Sequence, residues 1–178
     1  IIVCEENFHG RTSTIVSFST DPDAKDNYGP YMPGFKVIPY NDTAALEAAI
    51  TENTVGFLVE PIQGEAGVDV PDPGYLRAVS DICKKNNVLF IADAVHTGFC
   101  RTGTKLAVAH EAVKPAALPL ATALGCGVLP VTAVVAHPAL MAPSRPPTPA
   151  SPSGTHPPAP AAAIAPPQVV QHAHPARP

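Results

Sequence analysis

Three short stretches carry side chains able to do chemistry. Residues 7–12 read NFHGRT and place an aromatic ring, an imidazole and a guanidinium within four positions, at Phe8, His9 and Arg11. Residues 59–67 read VEPIQGEAG and bring two carboxylates, Glu60 and Glu65. Asp93 and His96 follow the apolar run 88–92. Asp93 therefore ends a strand, where α/β sheets place ligand-binding groups. A carboxylate there can pair with a protonated ring nitrogen, although Asp is also a common cap and turn residue. Arg11 suits a bidentate grip on a carboxylate, or a surface or interface ion pair. Phe8 alone would read as a core aromatic.

The elements that must position these groups follow from periodicity. Residues 1–4, 37–40, 55–59, 88–92 and 131–135 are short apolar runs rich in β-branched residues, and read as buried strands. Residues 43–51 place Leu46, Ala49 and Ile50 on one helical face, with Asp42 as N-cap. Residues 74–86 do the same with Leu76, Val79 and Cys83, and Lys84 and Lys85 suit a helix C-terminus. The alternation predicts an α/β domain with a mainly parallel sheet, strands 55–59 and 88–92 lying adjacent and parallel.

Read together, the motifs resemble the class III aminotransferases, which use pyridoxal phosphate (PLP). NFHGRT at 7–12, EPIQGEAG at 60–67 and the IAD…TG turn at 91–98 carry the likeness, with RTG at 101–103. VPDPGY at 70–75 belongs to the same set, and STDP at 19–22, YGPYMPGF at 28–35 and IPYND at 38–42 narrow it to the ornithine-specific branch. The likeness runs from residue 1 to about 141. It implies part of the large PLP-binding domain of a fold-type I aminotransferase. It also implies transfer of the delta-amino group of ornithine to 2-oxoglutarate.

The resemblance assigns Asp93 to the pyridine nitrogen and Phe8 to the ring face, with Val95 and His96 also at the cofactor. His9 and Arg11 fall on the substrate side. Glu65 matches the glutamate that pairs with an arginine of the C-terminal region. The departures lie at the chemical centre. Residues 116–130 read AALPLATALGCGVLP, and Thr122 stands where the family carries the lysine that binds PLP covalently. Threonine has no amine, so it can neither form that link nor shuttle the substrate proton. Lys114 lies at the other end of the expected strand, about 25 Å away at ~3.3 Å per residue, and Lys105 sits in a separate segment. His96 replaces glutamine, Ala94 replaces glutamate, and Ala116 replaces aspartate. Residues 154–160, GTHPPAP, echo the family's phosphate loop only through Thr155 and Pro160. The upstream phosphate loop and the C-terminal domain are expected to be missing. The expected product is a damaged transaminase segment, inactive alone, or a non-catalytic pseudoenzyme that binds a partner, or a degenerate product without function.

Composition bounds the remaining possibilities. The chain has 178 residues and a net charge of -4, so nothing global points to nucleic acid. Cys4, Cys83, Cys100 and Cys126 show no metal-type spacing and fit a reduced intracellular chain, in the mitochondrial matrix or cytoplasm. No signal peptide is visible at the first residues. Residues 116–136 are uncharged and long enough to cross a bilayer, but Pro119, Gly125, Gly127 and Pro130 break them, so two strands and a turn fit better than a membrane span. From 142 to 178 prolines make up 12 of 37 residues, a composition that predicts a disordered or polyproline-like tail after the domain at 1–141. Its PxxP spacings and His172 and His174 are weak signals for an SH3-type partner or a metal. By family the partners are amino acid and 2-oxo acid substrates, with a homodimer or an intact homologue as subunit partner.

Overall fold

The computed structural model describes residues 1–125, 127–144 and 158–172. Six strands form one sheet: β1 (Ile2–Cys4), β2 (Lys36–Ile38), β3 (Gly56–Val59), β4 (Leu89–Ala92), β5 (Ala117–Leu120) and β6 (Ala133–Ala136). Their order is β2-β1-β3-β4-β5-β6. The first five are mutually parallel, and β6 runs antiparallel to β5. β3 and β4 are neighbours in parallel register, from Gly56 opposite Leu89 to Val59 opposite Ala92, as the sequence pattern requires. The crossovers carry α1 (Ser13–Val16) and α2 (Pro22–Lys25), then α3 (Thr43–Ala49), then α4 (Tyr75–Lys85), then a 3-10 turn at Ala107–Glu111. After β6 come α5 (Pro138–Met141) and α6 (Pro158–His172).

Strand alternation builds the core on one face of this sheet. Ile2 and Cys4, Phe57 and Val59, and Phe90 and Ala92 are buried in a single apolar cluster with Leu46 and Ala49 of α3 and Leu76, Val79 and Cys83 of α4. The spacing 76, 79, 83 is the i, i+3, i+7 stripe of an amphipathic helix. The Ala45 N–H donates to Asp42 Oδ1 at 2.8 Å and starts α3. Gly74 precedes α4 with φ at +91° and has no side chain to cap it. Glu111 caps α4 from a distance instead: Gly74 N–H donates to its Oε1 at 3.0 Å and Arg77 N–H to its Oε2 at 2.8 Å. The Arg77 guanidinium returns a bond to the Glu111 carbonyl.

Two elements differ from the sequence expectation. β6 was expected to be buried, yet Val134 and Val135 are 57% and 56% exposed. It is an edge strand, paired only with β5 among the described residues, so one side of its ladder and much of its surface face outward. In the Pro/Ala-rich tail, residues 158–172 are helical rather than disordered. Alanine is the best helix former, and Pro158 and Pro160 occupy a first turn where N–H donors have no intrahelical partner. Ala159 and Pro166 supply its buried side. Residues 145–157 and 173–178, with Thr155, His174 and most of the PxxP spacings, lie outside the described residues, as does Cys126. Among the described residues no helix is long and apolar enough to cross a membrane.

The cap predicts a stability effect. Glu111→Ala removes both acceptors from the first turn of α4 and should cost about 1 kcal/mol, typical of a lost N-cap. Urea denaturation measures it. An unchanged midpoint would show that water satisfies those amides equally well.

Candidate active site

Because β1, β3, β4 and β5 are parallel, their carboxyl ends share one edge of the sheet. The loops leaving that edge carry Asn7 to His9, Glu60 to Glu65, Asp93 to His96, and Thr122. Asp93 and Thr122 thus lie on the same edge, as their positions after β4 and β5 require.

Asp93 is fixed by backbone and side chain together. Its N–H donates to the Val59 carbonyl at 2.8 Å, and the next N–H, of Ala94, donates to the Pro119 carbonyl at 3.0 Å. Asp93 Oδ1 accepts from Val95 N–H at 3.0 Å. Its Oδ2 lies 2.7 Å from His9 Nδ1, with both side chains almost fully buried. The turn role and the ligand role therefore coexist: one oxygen closes the local turn and the other meets an imidazole. The far nitrogen of that ring, His9 Nε2, is buried with no protein partner among the described residues.

Glu60 ties the first two loops together. It is 4% exposed. Its Oε2 accepts from Phe8 N–H at 3.0 Å, and its Oε1 from Gly64 N–H at 3.5 Å. His96 Nδ1 approaches Oε1 at 3.9 Å. Burial pushes the Glu60 carboxyl above its ordinary value, with the Phe8 and Gly64 amides and His9 pulling the other way. Further polar side chains stitch the same loops. Gln63 Nε2 donates to the Glu5 carbonyl at 2.7 Å, and Asn7 Nδ2 to the Cys4 carbonyl at 2.6 Å. The Tyr40 hydroxyl bonds the Glu60 and Pro61 carbonyls, each at 3.1 Å. The supporting roles of Asn7, Gln63 and Glu60 were not read from sequence; polar residues inside a loop motif were their only signal.

The rings follow from this frame. Phe8 and His96 lie parallel within 5°, centroids 6.4 Å apart. A Cβ at Gly64 would sit 2.8 Å from His96 Nδ1, so glycine makes room for the imidazole. Arg11 places its guanidinium carbon 5.9 Å from the Phe8 ring centre. A cavity of about 400 Å³ is lined by Phe8, His9 and Glu65, among others. Val95 is half-buried beside Asp93. Thr122 is exposed and lines different cavities, one of them shared with Phe99, Arg101 and the Ala165, Pro166 and Val169 positions of α6. The structure therefore gathers Phe8, His9, Glu60, Asp93 and His96, with Glu65 across the adjoining cavity. It leaves Thr122 on the same edge but in another cavity, and Thr155 is outside the described residues.

The Glu60 shift sets a pH dependence. A carboxyl raised on folding keeps its proton in the native state after the unfolded chain has lost it, so stability falls as pH rises from about 4.5 through the folded-state value. Glu60→Gln should remove that slope. Urea unfolding of both proteins across this range should give a wild-type minus variant stability that declines with pH. A flat or rising difference would contradict the burial argument.

Comparison with known proteins accounts for this arrangement. The family pattern described as aminotransferase class-III matches residues 1–174, well into the tail. Ornithine aminotransferase of Bordetella pertussis is 53% identical over 141 residues, covering 79% of this chain and 34% of that protein. The mitochondrial ornithine aminotransferase of Rattus norvegicus is 52% identical over 147 residues, covering 82% of this chain and 34% of its own length. The crystal structure of the Toxoplasma gondii ornithine aminotransferase superposes with TM-score 0.92 at 44% identity, over 96% of this chain and 40% of that one. This chain spans about a third of the length of these curated relatives. The sheet, the loop motifs and these matches agree, and the chain belongs to the class-III aminotransferases.

Proposed function

We propose that this chain forms the cofactor-facing part of an ornithine aminotransferase fold, retains PLP without a covalent link, and does not transaminate ornithine by itself. The observation that supports this reading is Thr122, which follows β5 on the edge that holds Asp93, where the resemblance puts the family's lysine. Class-III aminotransferases are PLP-dependent.

The donor set supports retention of the ring. Asp93 is a buried carboxylate at a strand end, with His9 against one oxygen and a buried, unpartnered His9 Nε2 behind it. Such a carboxylate favours a protonated ring nitrogen, and the adjoining imidazole can hold that charge pair in place. Phe8 offers a flat face and Val95 an apolar contact. His96 can hydrogen-bond a phenolic oxygen. Arg11 would take a substrate carboxylate, and Glu65 lies across the cavity lined by Phe8 and His9. When bound, PLP supplies an electron sink for the pair left at the substrate carbon as it loses a proton. The residue required to take and return that proton is an amine, and Thr122 offers only a hydroxyl that does not titrate near neutral pH. By analogy with its relatives, the chain works as a homodimer or beside an intact homologue, in the mitochondrial matrix or cytoplasm.

PLP titrated into the purified chain should produce a saturable absorbance change that Asp93→Asn weakens at least tenfold. Borohydride reduction followed by intact-mass measurement should leave wild type unmodified, whereas Thr122→Lys should gain one cofactor mass. Ornithine-dependent glutamate formation from 2-oxoglutarate by the wild-type chain alone would overturn the proposal.

A further inference from the structure

The amino edge of the sheet, at the far ends of β4 and β5 from the Asp93 loops, holds a cavity of about 590 Å³. It lies where β5 begins and β6 ends, since Ala117 of β5 pairs with Ala136 of β6. Leu118, Val135 and Leu140 wall it, with Leu89 at the start of β4. Leu118 and Val135 are cross-strand partners and therefore share one face of the sheet. Leu118 packs against the core behind it, whereas Val135 and Leu140 are 56% and 37% exposed. The volume falls within the roughly 300–1,000 Å³ of small-molecule pockets, which combine apolar walls with a few placed polar groups.

The polar side chains of this cavity, among the described residues, are Lys114 and His137. Both face it as donors. His137 is held by the backbone on two sides. Its N–H donates to the Ala116 carbonyl at 3.3 Å, and its Nδ1 accepts the Ala139 N–H at 3.2 Å. A neutral ring whose Nδ1 accepts carries its proton on Nε2, so the outer nitrogen is a donor. The bond to Ala116 sets His137 beside the segment that carries Lys114. Lys114 has no ion-pair partner among the described residues. Glu111, the nearest carboxylate in sequence, is committed to the first turn of α4. No acidic side chain among the described residues lines the cavity.

Apolar walls with two donors and no acceptor side chain select an amphipathic anion. A carboxylate offers two oxygens, one for the ammonium and one for the imidazole N–H, in charge-assisted bonds. An alkyl chain on that carboxylate removes apolar wall from water. An alkylammonium would meet Lys114 as a like charge. We propose that this cavity binds a medium-chain alkyl carboxylate, its head group held by Lys114 and His137 and its chain laid against Leu118, Val135 and Leu140. The site lies at the opposite edge from Asp93 and does not rest on the functional reading above.

The test uses the full chain and follows binding by saturation-transfer NMR titration. The probes are octanoate, octan-1-ol (no charge), octylammonium (reversed charge) and acetate (no chain). Octanoate should bind at least tenfold more tightly than each of the others. Lys114→Gln should reduce octanoate to the affinity of octan-1-ol and leave octan-1-ol unweakened, while Lys114→Arg should retain the preference. His137→Phe, which removes the donor, should weaken octanoate and not octan-1-ol. Both residues are exposed, and unchanged circular dichroism of each variant confirms folding. Intermolecular NOEs should join the octanoate chain to the Leu118, Val135 and Leu140 methyl groups. The proposal fails if octanoate does not bind, if it binds no tighter than octan-1-ol or acetate, if Lys114→Gln leaves it unchanged, or if its NOEs fall on other methyl groups.

Discussion

The geometry of the carboxyl edge depends on the burial of one carboxylate. Glu60 follows β3 directly and accepts the backbone N–H groups of Phe8 and Gly64. Those bonds fix the loop after β1 against the loop after β3. Phe8 and His9 take their positions from the first loop, and the room for His96 comes from Gly64 in the second. A buried carboxylate is expensive, since leaving water opposes its charge. Two amide donors and the nearby His9 imidazole offset part of that cost without abolishing it, so burial still pushes the group toward its neutral form. Removing the carboxylate would strand two amides, so the loops tolerate the cost.

Unmet polar groups concentrate at this same edge. Asn7 Oδ1, His9 Nε2, Gln63 Oε1 and Thr97 Oγ1 are buried without protein partners among the described residues. Each such atom in a core would cost about 1–3 kcal/mol. All four belong to the loops at the carboxyl edges of β1, β3 and β4, whereas the packed side of the sheet is apolar. Local frustration of this kind is expected where polar groups serve a ligand rather than the fold.

The sheet was legible because burial writes a simple code. β1, β3 and β4 were found to within a residue or so, because continuous apolar runs rich in β-branched residues are what a doubly covered parallel strand needs. α3 and α4 were legible from Asp42, Lys84 and Lys85 and from the stripe 76, 79, 83. β6 misled because an apolar run says nothing about whether it lies at the centre or the edge of a sheet. α6 was hidden by proline content: its alanines and Pro158 at the first position favour a helix, whereas Pro166 and Pro167 inside it argue against one. At the site, Asp93, Phe8 and His9 were identified by position and motif. Their connections were not, because the His9 to Asp93 contact joins residues 84 apart in sequence. Nor does a sequence show which cavity an exposed residue such as Thr122 will face.

That last point separates the fold from its chemistry. The backbone around Thr122 keeps an ordered turn, with Leu124 N–H donating to the Ala121 carbonyl at 2.7 Å and Val128 N–H to the Gly125 carbonyl at 2.9 Å. β5 retains its place between β4 and β6. Neither the turn nor the sheet needs an amine at 122, because their stability comes from apolar burial and backbone pairing. Ala94 is likewise buried and its N–H pairs with the Pro119 carbonyl, so the strand connection needs no polar side chain there. A lysine at 122 would leave this backbone frame unaltered. Yet it would begin from a position whose cavity is walled by Phe99, Arg101 and α6, apart from the cavity that Phe8 and His9 line.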